Sequence, residues 1–281
     1  MERNDINIRD PFVLVHDGKY YLYGTRGYEC WGKCTGLDCY VSDDLVSFSK
    51  PYEVFTRPEG FWADENFWAP EVYEYKGAFY MFVSFKAEGV CRGTQILKAD
   101  SPLGPFKPHS DGPVTPRDWE CLDGTLYIEE SDGGKPYMVF CHEWVQISDG
   151  TVCAVPLSDD LSRAVGEPVV LFHASEAPWI KTVKGGNYVT DGPFIYRNDV
   201  GKVTMLWSSF GEEGYTLALA HSDSDTINGP WRQEPKLLFS KDGGHGMLFR
   251  ALDGTLMGTL HSPNEKLTER PYFFKVDEKE L

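Results

Sequence analysis

Five times along this chain a short motif returns at the head of an apolar run: Asp10-Pro11-Phe12-Val13, Ala69-Pro70-Glu71-Val72, Asp123-Gly124-Thr125-Leu126, Asp191-Gly192-Pro193-Phe194 and His245-Gly246-Met247-Leu248. Each copy is followed, with its first glycine 8 to 10 residues after the motif begins, by a turn such as Asp17-Gly18, Lys76-Gly77 or Asp253-Gly254. A second apolar run then follows, for example Tyr20 to Tyr23, Phe79 to Val83 or Tyr137 to Phe140. Two apolar runs joined by a glycine turn read as a β-hairpin. The copies start 59, 54, 68 and 54 residues apart, enough for about four strands each. Hairpin repeats of that length are the signature of propeller blades. The expected fold is therefore all-β, a five-bladed β-propeller occupying residues 1–281 as one domain. A second recurrence, Ser42-Asp43-Asp44-Leu45, Ser101-Pro102-Leu103, Ser158-Asp159-Asp160-Leu161 and Asn228-Gly229-Pro230-Trp231, marks the second halves of units one to four. The fifth unit lacks it, so the segment near Ile6 to Ile8 is expected to supply the missing outer strand and close the ring.

The net charge of −16 argues against nucleic acid or an anionic membrane as a partner, because both are bound through basic patches. Neutral ligands remain open. The first residues, Met1 to Asp5, carry no apolar stretch, and no run of about 18 apolar residues occurs. The expected location is cytoplasmic, or secreted or periplasmic if a leader has been removed. Cys30, Cys34 and Cys39 lie close together, but a zinc site would want a fourth ligand and paired spacing. Free thiols in a reducing compartment are the expectation for all seven cysteines.

In a propeller the innermost strands line a central channel and their first residues converge at one mouth. Asp10, Asp123 and Asp191 are thus expected to meet, and neighbouring buried carboxylates raise one another's pKa. Any one Asp before Gly or Pro also reads as an ordinary turn residue. The chain contains its own control: Asp-Gly-Thr-Leu begins at Asp123 and again at Asp253, where it fills the hairpin-turn position instead. Three acids at one repeat position favour function.

The ordered set Arg9-Asp10-Pro11, Trp68-Ala69-Pro70-Glu71, Leu122-Asp123-Gly124, Thr190-Asp191-Gly192-Pro193 and Gly244-His245-Gly246 resembles glycoside hydrolase family 43, five-bladed propellers that hydrolyse arabinosides and xylosides. The resemblance implies an inverting glycosidase that releases arabinofuranosyl, xylosyl or similar residues from plant-type oligosaccharides. It implies Asp10 as general base and Asp123 as the residue that tunes and orients the acid. The family's acid is usually a Glu in a Glu-Gly-Pro setting, which here falls on Asp191, a departure from the pattern. Inverting enzymes hold acid and base roughly 6.5–9.5 Å apart, and Asp is one methylene shorter than Glu. Glu143, at the end of the hairpin strand that returns beside Asp123, is therefore a second candidate acid, or else a solvated strand-end residue. Glu71 shares a strand face with Ala69 and could bind a sugar hydroxyl or serve a structural hydrogen bond. Trp68, Trp144 and Phe210 could stack on a sugar, or simply pack the core. The resemblance also implies a possible Ca2+ at the propeller centre, with His245 as its direct side-chain ligand and waters completing the shell. A catalytically silent propeller that binds glycans or proteins through the same mouth is the alternative reading.

Overall fold

The computed structural model describes residues 1–281, the side chain of Glu280 excepted. Its strands form five antiparallel sheets. Blade one is β1 (Ile8–His16), β2 (Lys19–Arg26), β3 (Gly36–Ser42) and β4 (Tyr52–Thr56). Blade two is β5 (Glu65–Tyr75), β6 (Ala78–Ala87), β7 (Val90–Ala99) and β8 (Lys107–Pro108). Blade three is β9 (Cys121–Glu129), β10 (Lys135–His142), β11 (Thr151–Pro156) and β12 (Val169–His173). Blade four is β13 (Asp191–Arg197), β14 (Val203–Gly211), β15 (Gly214–Ser222) and β16 (Trp231–Gln233). Blade five has three strands, β17 (Gly244–Arg250), β18 (Leu256–Ser262) and β19 (Arg270–Lys275).

Turn chemistry makes the hairpins. The β1–β2 turn joins the pair His16↔Lys19 through Asp17 and Gly18, at φ +46° and +71°. The β5–β6 turn joins Tyr75↔Ala78 through Lys76 and Gly77, at +48° and +80°. Positive φ at both central residues is the type I′ geometry whose twist matches paired strands. The second recurrence forms the β3–β4 type of connection: Leu45 and Leu161 sit at φ +61° and +60°, and Asp44 and Asp160 accept backbone N–H bonds within their own loops. Apolar clusters then fill the wedges between blades. Phe172, Trp179 and Trp207 pack between blades three and four, and Phe55, Phe61, Phe67 and Phe85 between one and two.

The ring does not close as expected. Ile8 and Arg9 begin the innermost strand of blade one, paired to Arg26 and Thr25 of β2, so their backbone is committed at the channel and cannot also edge blade five. The N-terminal segment instead reaches β19 by side chains: Asn7 Nδ2 donates to the Glu269 carbonyl, and Arg270 Nε donates to that of Asn4. Closure comes from β1 lying beside β17, with Phe12 and Tyr20 in one cluster with Met247 and Phe249.

Every inner strand carries a β-bulge near its start, where the register breaks between Arg9 and Phe12, Trp68 and Glu71, Leu122 and Thr125, Asp191 and Phe194, and Gly244 and Met247. The first bulged residue is left-handed in all five: Asp10 (φ +53°), Ala69 (+48°), Asp123 (+58°), Gly192 (+51°) and His245 (+51°). Bulges re-aim side chains, and non-glycine residues at such φ are uncommon and costly. This corrects the repeat alignment at one position. The fourth bulge begins at Gly192, and Asp191 stands one residue earlier, at the position of Arg9, Trp68, Leu122 and Gly244.

Candidate active site

The strained bulges are clamped from the preceding blade. The backbone N–H of Ala69 donates to Thr25 Oγ1 (2.8 Å), that of Asp123 to Ser84 Oγ (2.8 Å), that of His245 to Ser208 Oγ (2.7 Å) and that of Asp10 to His261 Nδ1 (3.1 Å). All four acceptors pair across the hairpin with the residue that precedes a bulge in their own blade. The fifth such position is Cys141, a poor acceptor. Gly192 N–H accordingly donates to Asp123 Oδ2 instead, at 2.9 Å. That exception binds the acidic residues of blades three and four into one unit.

Asp10, Asp123 and His245 meet at the channel mouth. His245 Nδ1 lies 3.3 Å from Asp10 Oδ1 and 3.6 Å from Asp123 Oδ2, so one imidazole faces both carboxylates. Burial alone would raise the pKa of Asp10, but His245, Arg9 and a hydrogen bond from Thr25 Oγ1 (2.6 Å) outweigh it and hold the carboxyl below its ordinary range. His261 contributes little positive charge: its Nδ1 accepts from the Asp10 N–H, its Nε2 meets Asn264 Oδ1 at 3.1 Å, and burial depresses its pKa to about 3. Asp123 is pushed well above its ordinary value by burial and by Asp10. Asp191 is raised to about 7 by burial and by Asp123, against the opposing pull of His245 and of Tyr215, whose hydroxyl donates to Asp191 Oδ2 at 3.0 Å. One pocket thus holds a carboxyl whose pKa is lowered beside two whose pKa is raised.

The catalytic pocket is a narrow well of about 80 Å³ lined by these acids with Arg9, Trp31, Trp68 and Tyr215. Above it lies a wider mouth of about 460 Å³, which Trp144, Phe210 and Lys266 also line. Trp68 packs edge-on against Trp31 at 5.3 Å and donates its Nε1–H to the Cys30 carbonyl (2.6 Å). Trp68, Trp144 and Phe210 therefore all reach the opening. Glu143 reaches it as well, but its carboxylate accepts a charge-assisted bond from Arg92 Nε at 3.0 Å. A guanidinium so placed makes the carboxylate an acceptor, an arrangement that suits Asp191 better than Glu143 as the acid.

Of the two roles open to Glu71, the hydrogen bond is the one seen: it lines neither cavity. The Tyr73 hydroxyl donates to it, and burial raises its pKa to about 7. Its part is structural, bonding β5 to β9 through Tyr73 and Thr125.

The donor set does not fit a directly held calcium ion. Calcium takes about six to eight oxygen ligands. Here the implied ligand is one imidazole whose Nδ1 edge faces two carboxylates, and among the described residues no group of three or more His, Cys, Asp or Glu is arranged to hold a metal. Dialysis against EDTA is expected to leave turnover and melting temperature unchanged. A loss restored by added calcium would overturn that assignment.

Arg9, Trp31 and Tyr215 were not singled out from sequence. Arg9 adjoins Asp10 in the first motif, which was a usable signal; its guanidinium is held by Glu269 at 3.0 Å and sits over Trp31. Tyr215 had none, because it lies on β15, the third strand of its blade, and not on an inner strand. It fits only because Gly244 has no side chain: a Cβ there would come within 2.7 Å of the Tyr215 ring.

Comparison with known proteins agrees with this geometry. The profile of glycosyl hydrolases family 43 matches residues 5–274. An extracellular exo-α-(1→5)-L-arabinofuranosidase of Cellvibrio japonicus is 26% identical over 270 residues, covering 85% of this chain and 70% of that protein. The crystal structure of an endo-arabinase from Bacteroides thetaiotaomicron superposes with a TM-score of 0.91 at 42% identity, covering 99% of this chain and 96% of that one. A thermostable family-43 glycoside hydrolase superposes at 0.83 with 25% identity, covering 96% and 90%. With a match over nearly its whole length and the carboxylates gathered at the propeller mouth, this chain belongs to glycosyl hydrolases family 43 and is a glycosidase.

Proposed function

We propose that the protein is an inverting hydrolase of α-L-arabinofuranosyl linkages in plant-type oligosaccharides. The carrying observation is the opposite displacement of two pKa values in one pocket, Asp10 downward and Asp191 up to about 7. Groups pushed apart in this way divide into base and acid. Asp10 takes a proton from water as the water attacks the anomeric carbon, while Asp191 passes its proton to the departing glycosidic oxygen. Asp123, bonded to Gly192 N–H beside Asp191, orients the acid, and the two buried neighbours share a raised affinity for a proton. His245 stands between the two acids, its Nδ1 3.3 Å from Asp10 Oδ1 and 3.6 Å from Asp123 Oδ2. The arabinose linkage is preferred over xylose because an arabinase and an arabinofuranosidase are among the proteins this chain resembles.

The test is hydrolysis of 4-nitrophenyl α-L-arabinofuranoside, β-D-xyloside and β-D-galactofuranoside, with the first-formed anomer read by proton NMR. Release of the anomer opposite to that of the substrate is expected. Retention would sink the mechanism, and no turnover on any glycoside would leave a glycan-binding propeller.

Tyr215 acts on the acid without touching the bond broken. By donating to Asp191 Oδ2 it turns the other oxygen toward the leaving group and stabilises the carboxylate left behind. Tyr215→Phe is expected to cut kcat about tenfold on substrates with poor leaving groups, and to shift the alkaline limb of activity upward. An equal loss on activated and unactivated glycosides would instead mean a purely structural role.

Among the described residues no helix is long and apolar enough to cross a membrane. All seven cysteines are free, six of them buried, which suits a reducing compartment and substrates delivered as short oligosaccharides. Recovery of the native protein from a secreted fraction would contradict that location.

A further inference from the structure

Outside the catalytic mouth, blade two carries a second cavity of about 270 Å³. It is formed where the β6–β7 turn, the loop before β5 and the loop between β8 and β9 come together, and is lined by Trp62, Val90, Arg92, Pro113, Pro116 and Arg117. Those connections are on the same face as the active site, because β5 starts there with Trp68 and β9 with Asp123. Only one layer of side chains separates the two cavities. Arg92 Cζ lies 3.8 Å from the Trp68 ring, and its Nε bonds Glu143.

Arg92 forms one side of the cavity and is 8% exposed; its Nε is held by Glu143, while its Nη1 is buried within the wall without a partner. Trp62 is tied down by its Nε1–H to Gln95 Oε1 (2.7 Å), so its ring is held in a fixed orientation at the cavity. Arg117 is steadied by the Asp111 carbonyl at 2.6 Å, and the side chain of Asp111 adds an acceptor. An aromatic wall, two prolines and a few fixed donors and acceptors form the surface that recognises a sugar ring, whose faces are apolar and whose rim is hydroxylated. The volume far exceeds that needed for a water molecule.

We propose that this cavity is a distal subsite for a neutral sugar residue of the same oligosaccharide whose linkage is cut in the well, an inference that rests on the hydrolase reading above. The chain passes over the Trp68–Arg92 wall, and a ring beyond the wall lies against Trp62 with a hydroxyl oxygen accepting from Arg117. The subsite makes length, not only sugar identity, a determinant of affinity.

Val90→Trp would fill the cavity from its exposed rim, and Arg117→Ala would remove a donor; neither residue belongs to the catalytic well. The probe is a linear 1,5-α-L-arabinotetraose titrated calorimetrically into full-length Asp10→Asn, alone and combined with each change. Affinity is expected to fall about fivefold to tenfold, roughly 1–1.4 kcal/mol, while kcat/KM of the single variants on 4-nitrophenyl α-L-arabinofuranoside stays within about twofold of the parent. Cys91 also lines the cavity and is the one cysteine not fully buried, so the tetraose should slow its alkylation by iodoacetamide in the unmutated protein. Unchanged tetraose affinity and unprotected Cys91 would overturn the subsite even where hydrolysis is normal. An equal fall on the monoglycoside would also overturn it, since the wall and not a subsite would then be disturbed. Binding is read without turnover, so an inactive but tetraose-binding protein would reject the hydrolase reading and leave the subsite standing.

Discussion

Asp10→Asn is expected to lower kcat by about 10³–10⁴-fold on every glycoside the protein hydrolyses, with KM little changed. The substitution preserves the fold locally. Asn keeps the side-chain volume, its Oδ1 can accept from Thr25 Oγ1, and the backbone N–H still donates to His261. What disappears is the lone basic site able to take a proton from water. Activated leaving groups would not rescue it, because departure of the aglycone still needs a nucleophile. Removing the Asp10 charge also removes the second-largest cause of the raised pKa of Asp123. Any residual activity should therefore show an altered pH profile. Steady-state kinetics together with tetraose binding check this; retained turnover within tenfold of the parent would reject Asp10 as base.

Asp191→Asn should divide substrates by leaving group. Losses of about 10²–10⁴-fold are expected where the departing sugar oxygen needs a proton, and far smaller ones for 2,4-dinitrophenyl glycosides. In the parent protein, turnover requires Asp191 protonated, so activity falls as pH rises through about 7. That alkaline limb should be missing from the variant. The parent's stability follows the same proton. The folded pKa of Asp191, about 7, lies above its ordinary 3.8, so the folded state binds this proton more tightly than the unfolded state does. The associated stability is complete below pH ~4 and is lost as pH climbs toward and through ~7. Asn does not titrate, and its Oδ1 still accepts from Tyr215. The melting temperature of the variant relative to the parent should therefore rise steadily from pH 4 to 8. Scanning fluorimetry at both ends checks this, and a difference that stays flat would mean Asp191 is ionised in the folded protein throughout.

Residues that act with near neighbours were legible in the chain. Asp17-Gly18 and Lys76-Gly77 adopt the turns their types demand, and five such units fold as five blades. Asp10 and Asp123 meet because a shared repeat position is a shared place on the ring. Asp191 reached the same pocket from a position one residue away. A sequence alignment pairs acid with acid, whereas the backbone places glycine at the left-handed bulge, where it carries no Cβ penalty. Glu143 stayed a second candidate acid and Glu71 kept two open roles for a related reason: the residues that bond to them, Arg92 and Tyr73, had no pattern pointing to them.

The sequence by itself determined the all-β architecture, the blade count and the candidate base. The first two follow from turn chemistry and alternation, which operate over a few residues; the candidate base came from the resemblance of Arg9-Asp10-Pro11 to a family motif. Tertiary structure alone decided that the pKa values of the acids are displaced in opposite directions, that His245 faces two acids, that Tyr215 reaches Asp191 and that β1 closes the ring. Each of those depends on distances between different strands or blades, and on burial that exists only once the sheets have packed around the channel.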